Sequence, residues 1–173
     1  ETVERQAIAS QLSESLRRIL PDNVRSVRVS LRLEAIEGAY YHYAHGLKKH
    51  DGNCQRIAHG HRSRIRILRN GQRAVDLEHY WADRWRDIYL ATAEDRVETF
   101  EDGGVSYHRF SYDSDQGHFE IALPAARTEI MGPDTTVEWI ACYLRDETRK
   151  LEPDSRIEVY AFEGVNKGAI AEG

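Results

Sequence analysis

At 173 residues, 40% hydrophobic and 31% charged, the chain has enough apolar side chain for one globular core, which excludes a disordered segment. No apolar run approaches the ~18 residues of a membrane span. Two cysteines, Cys54 and Cys142, are too few for a disulfide framework and point to a reducing, cytoplasmic compartment. The net charge of −5 hides a basic segment: residues 45–73 hold eight Lys and Arg against one acid, Asp51. That patch suits a small anion and is too short for a nucleic-acid face.

Residues 2–20 predict an amphipathic helix, with Ile8, Leu12, Leu16 and Ile19 near the 3.6 period and Pro21 as breaker. VRSVRVSLRLEA, 24–35, alternates and predicts a half-buried strand, Val27, Val29, Leu31 and Leu33 on one face. GAYYHYAHGL, 38–47, continues extended, HDGN is a turn, and HGHRSRIRIL, 59–68, alternates again. There His59, His61, Ser63, Ile65 and Ile67 share one face, and Arg62, Arg64 and Arg66 the other. RNGQ is a hairpin turn. Residues 76–90 predict a helix lined by Leu77, Trp81, Trp85 and Ile88.

Residues 96–112 predict a hairpin about DGG, and GHFEIAL, 117–123, a strand with Phe119, Ile121 and Leu123 inward. Residues 132–151 predict a helix capped by Thr135 or Thr136, with Glu138 near N3. Val137, Ile140, Ala141 and Leu144 form its core stripe. Trp139, Cys142 and Tyr143 make the far side apolar too, so both sides are expected to be covered. RIEVYAF, 156–162, is the last strand, and 163–173 a tail. Thr-Val-Glu, helix, Pro-Asp turn, strand and Glu occur twice, which reads as a tandem duplication. Residue 1 is Glu, within a running helical pattern. Residues 1–37 are therefore expected to end a truncated first repeat, with 38–173 the main unit.

His59 and His61 project to one side of their strand and can reach one ion. Gly60 between them leaves room. The adjacent strand can supply a third ligand, His45 before His42 or His50. Three neutral imidazoles and an open position describe catalytic zinc, Zn2+. Cys54 sits in a polar turn among cations, which favours thiolate. It can serve as a general base or as a fourth ligand.

YAHGL, CQRIAHGH, TTVEWIACYL and RIEVYAFEGVNKGAIAE, in that order, resemble the 6-pyruvoyltetrahydropterin synthase and 6-carboxytetrahydropterin synthase family. The resemblance covers 38–67 and 130–172 well, and 68–129 poorly. It implies the α+β tunnelling fold, an antiparallel sheet with helices packed on one face, assembled into homo-oligomeric barrels. By matching positions, His45, His59 and His61 would bind zinc, Cys54 would be the catalytic base, and Glu163 would anchor the pterin ring. Glu34, which ends the first copy's strand, competes for that last role. The small-molecule substrate would be a dihydropterin triphosphate, 7,8-dihydroneopterin triphosphate, its phosphates held on charge grounds by Lys48, Lys49 or nearby arginines.

The family's L-D-H motif is not found. His118 with Asp115 is the nearest substitute, unless a missing N-terminal half carries the pair and acts as a partner. The expected activity is a zinc-dependent carbon–carbon lyase of the 6-carboxytetrahydropterin type, used in making 7-deazaguanine bases such as queuosine. The alternatives are the pyruvoyl-forming triphosphate lyase and a non-catalytic pterin or purine binder with structural zinc. No membrane or nucleic-acid partner is expected.

Overall fold

The computed structural model describes residues 4–32 and 35–173. The chain divides into two compact units, Glu1–Ala35 and Ile36–Gly173.

The first unit contains helix α1, Arg5–Arg17, within the predicted 2–20. None of its residues is buried. Ile8 and Leu16 are half-buried, whereas Leu12 and Ile19 stay exposed. The strand expected over 24–35 is not seen among the described residues: 24–32 join no sheet. Alternation assigns side chains to faces, but a strand also needs a neighbour for its backbone N–H and C=O groups. Glu34, a candidate pterin anchor, lies outside the described residues.

The second unit begins with β1, Tyr40–His45. A 3-10 turn, Gly52–Gln55, leads to β2, His59–Arg69, and then to the short β3, Gln72–Arg73. Asn70 and Gly71 both take positive φ, 54° and 77°, as the predicted Asn-Gly hairpin turn requires. Helix α2 runs Val75–Arg84 and β4 runs Ile88–Thr92. The helix expected through residue 90 therefore stops early, and Ile88 belongs to a strand. Asp87, with φ 59°, breaks the helical path between them.

β5, Arg96–Asp102, β6, Val105–Ser114, and β7, Gly117–Pro124, form an antiparallel sheet of their own, as the predicted hairpin and following strand foretell. β8, Thr128–Met131, is followed by α3, Val137–Leu151, β9, Ile157–Gly164, and β10, Lys167–Glu172. The predicted tail is thus a strand. It turns back through Asn166, φ 57°, and pairs antiparallel with β9.

The large sheet has the order β10-β9-β2-β1-β4-β8, with β3 on β2. It is mixed, not wholly antiparallel as expected. β1–β4 and β4–β8 are parallel. The physical reason is connectivity. Each of these pairs is joined by a long crossover, the first through β2, β3 and α2, the second through the small sheet.

Helices α2 and α3 pack on one face. Leu77, Trp81 and Trp85 meet Tyr41, Tyr43, Ile65, Ile67, Val159 and Ala161 there, with Val137, Ile140, Ala141 and Leu144 from α3. The small sheet covers part of the opposite face. Phe110 and Tyr112 pack with Tyr89, Ala91 and Ile57, flanked by Ala44, Phe119, Ile121 and Leu123. Every residue of β4 is buried because it lies between these two layers. On α3, Cys142 and Tyr143 pack against the core margin and Trp139 remains 45% exposed. Among the described residues no helix is long and apolar enough to cross a membrane.

Candidate metal centre

The β1–β2 ladder builds the site. Its register sets His45 directly opposite His59, and Tyr43 opposite His61. Residues directly opposite in an antiparallel pair, and residues two apart on a strand, share a face. The three imidazoles therefore converge, with ring centroids 4.4 Å apart for His45–His59 and 5.1 Å for the other two pairs. One ring nitrogen from each lies within 4.8 Å of the others. Gly60 is not what makes the room: a Cβ there would meet only the Tyr43 carbonyl, at an ordinary 3.7 Å. Its side of the strand is the opposite one.

Backbone carbonyls orient two of the rings. His45 Nδ1 donates to the Thr135 carbonyl at 2.9 Å, with Thr135 Oγ1 at 3.1 Å. His61 Nδ1 donates to the Glu163 carbonyl at 3.1 Å. A carbonyl can only accept, so the proton of each neutral ring sits on Nδ1 and the lone pair on Nε2. These Nε2 atoms, and Nδ1 of His59, are buried without a partner. Thr136, the residue before α3, makes no side-chain cap bond, and Thr135 is spent on His45. The expected capping box is absent.

Burial, then the neighbouring His59 and His61, push the His45 pKa down to about 3. Burial, then His61, also lowers His59. At neutral pH these two rings are neutral ligands with available lone pairs. Tyr43 walls the site, stacked on His61 and edge-on to His45, both at 5.1 Å. Buried donors or acceptors left unmade cost about 1–3 kcal/mol each. Three such nitrogens facing one another fit a nitrogen-preferring divalent metal such as zinc.

Cys54 lies in the Gly52–Gln55 turn and is half-buried. Its carbonyl accepts the Leu47 N–H at 2.8 Å, which fastens the turn two residues beyond His45. Glu163 lies on β9. Its carboxylate is ion-paired with Lys167 of β10 and its charge reaches His59. Lys167 was not anticipated. Its pKa is raised by the bond to Glu163 and that carboxylate's charge, and to a lesser degree by Cys54 and Glu138. The signal in the sequence is the spacing Glu163-x-x-x-Lys167 across a turn.

Other expected residues sit elsewhere. Lys48 is not an unpaired cation: it bonds Asp95 at 2.6 Å and Glu94 at 3.1 Å. Lys49 and His50 are exposed. His42 projects from the other face of β1 and pairs with Asp87 at 3.1 Å. His118 is exposed on β7, and its carboxylate partner is Asp113, at 2.9 Å, not the expected Asp115. The β6–β7 ladder sets Asp113 directly opposite His118, a neighbour that chain spacing alone does not single out.

No protein-family model matches the chain, and no curated protein matches it. Solved structures do. A 6-pyruvoyltetrahydropterin synthase from Plasmodium vivax aligns at 13% identity over 78% of this chain and 91% of its own, with a TM-score of 0.54. A catalytic-residue mutant of the P. vivax synthase aligns equally well. The Plasmodium falciparum synthase aligns at 11% identity, with the same coverage and TM-score. This chain has the α+β tunnelling fold of the 6-pyruvoyltetrahydropterin synthases.

Proposed function

We infer that the chain is a zinc-dependent lyase acting on a dihydropterin triphosphate. The observation that carries this reading is the convergence of three buried, unpartnered imidazole nitrogens on the β1–β2 ladder of this fold. His45, His59 and His61 would hold the zinc, which supplies Lewis-acid polarisation of the side-chain hydroxyls when bound. Cys54, on the turn fastened beside His45, moves the proton of the reacting side chain as general base. Glu163 anchors the pterin by accepting hydrogen bonds from its ring N–H groups once Lys167 gives way. Of the two lysines Lys49 is the exposed one left for the triphosphate, since Lys48 is neutralised by Asp95 and Glu94, and Arg56 is exposed nearby in the chain.

The substrate in this reading is 7,8-dihydroneopterin triphosphate and the product 6-carboxytetrahydropterin, a cytoplasmic step toward 7-deazaguanine bases such as queuosine. Open edges on β10 and β8 among the described residues support assembly of copies into a larger barrel. Incubating the zinc-loaded protein with 7,8-dihydroneopterin triphosphate tests the reading. Acetaldehyde together with 6-carboxytetrahydropterin supports it. The neighbours' names favour a second reading, in which 6-pyruvoyltetrahydropterin and free triphosphate appear instead. Tight pterin binding without turnover overturns both. Cys54→Ala should lose turnover by ~100-fold or more while zinc stays bound; full activity in that variant removes Cys54 from the chemistry.

A further inference from the structure

The three-stranded sheet supplies none of the three histidines, yet it grips the segment joining Cys54 to His59. Tyr112, on β6, is buried, and its hydroxyl donates to the Gln55 carbonyl at 2.7 Å. Gln55 is only 3% exposed, and its Oε1 accepts the backbone N–H of Gln116, in the β6–β7 turn, at 3.1 Å. Ser114 Oγ shares that N–H at 3.3 Å. From β4, the Tyr89 hydroxyl donates to the Ile57 carbonyl at 2.8 Å. Ile57 itself is buried against Phe110 and Tyr112.

The approach is close. A Cβ on Gly46, the residue after His45, would stand 1.9 Å from the Tyr112 hydroxyl and 2.8 Å from the Ile57 Cα. Only glycine lets that hydroxyl reach the loop beside the end of β1. A single 3-10 turn has few internal bonds of its own. An apolar residue at position 55 could fill the same space. A buried glutamine instead demands a partner at a defined distance and angle, so it specifies where its neighbour Cys54 stands.

We propose that Tyr112 and Gln55 are positioning residues, and that the β6–β7 hairpin clamps the Cys54 loop at a set distance from His45, His59 and His61. The proposal rests on the reading of Cys54 as the proton-moving group. A general base gains most of its effect from placement within hydrogen-bond reach, and a misplacement of ~1 Å can cost about 100-fold.

The test measures iodoacetamide alkylation of Cys54 against pH in the full chain by peptide mass spectrometry, with Cys142 as internal reference. Tyr112→Phe and Gln55→Leu should each change the Cys54 rate about threefold or more, or move its pH midpoint, with Cys142 unchanged. In turnover assays the two variants should lower kcat by about tenfold with KM unchanged. A Cys54 profile identical to the parent's, with only the melting temperature lowered, would overturn the clamp and leave a merely structural contact. If Gln55→Leu fails to fold, Tyr112→Phe, which removes one oxygen, decides alone. Turnover surviving Cys54→Ala would sink the catalytic reading, while the alkylation profile still judges the clamp.

Discussion

His59→Ala separates metal binding from simple packing, because its effect should be small without zinc and large with it. In the metal-free protein, His59 Nδ1 is buried without a partner, an arrangement that costs about 1–3 kcal/mol. Deleting the half-buried ring relieves that cost while losing some packing, so the metal-free variant should unfold within about 1 kcal/mol of the parent. Zinc opens a gap between the two. Free zinc at ~100 times its dissociation constant stabilises the parent by about 2.7 kcal/mol. For a chain of this size, that is a rise in Tm of roughly 5–10 °C. His59→Ala loses a ligand and should show little of the rise, with zinc content falling well below the ~1 per chain expected of the intact three-histidine site. His42→Ala is the control, since His42 lies on the other face of β1 beside Asp87. Differential scanning fluorimetry with chelator and with zinc, paired with metal analysis, reads both quantities. An undiminished zinc shift in His59→Ala, or its loss in His42→Ala, would refute the assignment.

The metal-free protein should also weaken toward acid. His45 titrates near 3 when folded against an ordinary 6.5 unfolded, so the unfolded chain binds the extra proton between those values. The stability of the neutral ring is fully present above pH 6.5 and declines as pH falls toward 3, at up to about 1.4 kcal/mol per pH unit. Urea midpoints of chelated protein between pH 7.5 and 5 check this; the same slope in His45→Phe would rule out His45 as its source. Glu78 is fully buried in α2, accepts the Ile67 N–H at 3.3 Å and holds Arg73 at 2.8 Å. Glu78→Ala leaves that strand donor unmade and should cost about 1–3 kcal/mol by urea unfolding, with Glu78→Gln costing less. Equal losses in the two would show that bulk, not the acceptor, matters at this position.

Much of the site's local chemistry could be read along the chain. Strict alternation from His59 to Ile67 puts the histidines on the face that the core covers, and the arginines opposite. The stripe Val137, Ile140, Ala141 and Leu144 marks the buried side of α3 because a helix repeats every 3.6 residues whatever it packs on. In two places periodicity misled. Residues 24–32 alternate like a strand but pair with none among the described residues, and the stripe of 76–90 ran past the break at Asp87 into β4.

Tertiary structure decided the rest, because it depends on which strands become neighbours. The spacing from His45 to His59 names no partner; the antiparallel register sets the two residues opposite each other, with ring centroids 4.4 Å apart. Thr135 reads as a helix cap until its carbonyl and hydroxyl meet His45. His118 finds Asp113 across a ladder, Lys48 finds Asp95, and Glu163 finds Lys167 across a turn. The sequence by itself determined which side chains could bind a metal and which face of the strand they share, since those follow from a period of two. The third ligand's place opposite His59, the carbonyls that turn the rings and the clamp on Cys54 arise only from long-range pairing, which a local pattern does not encode.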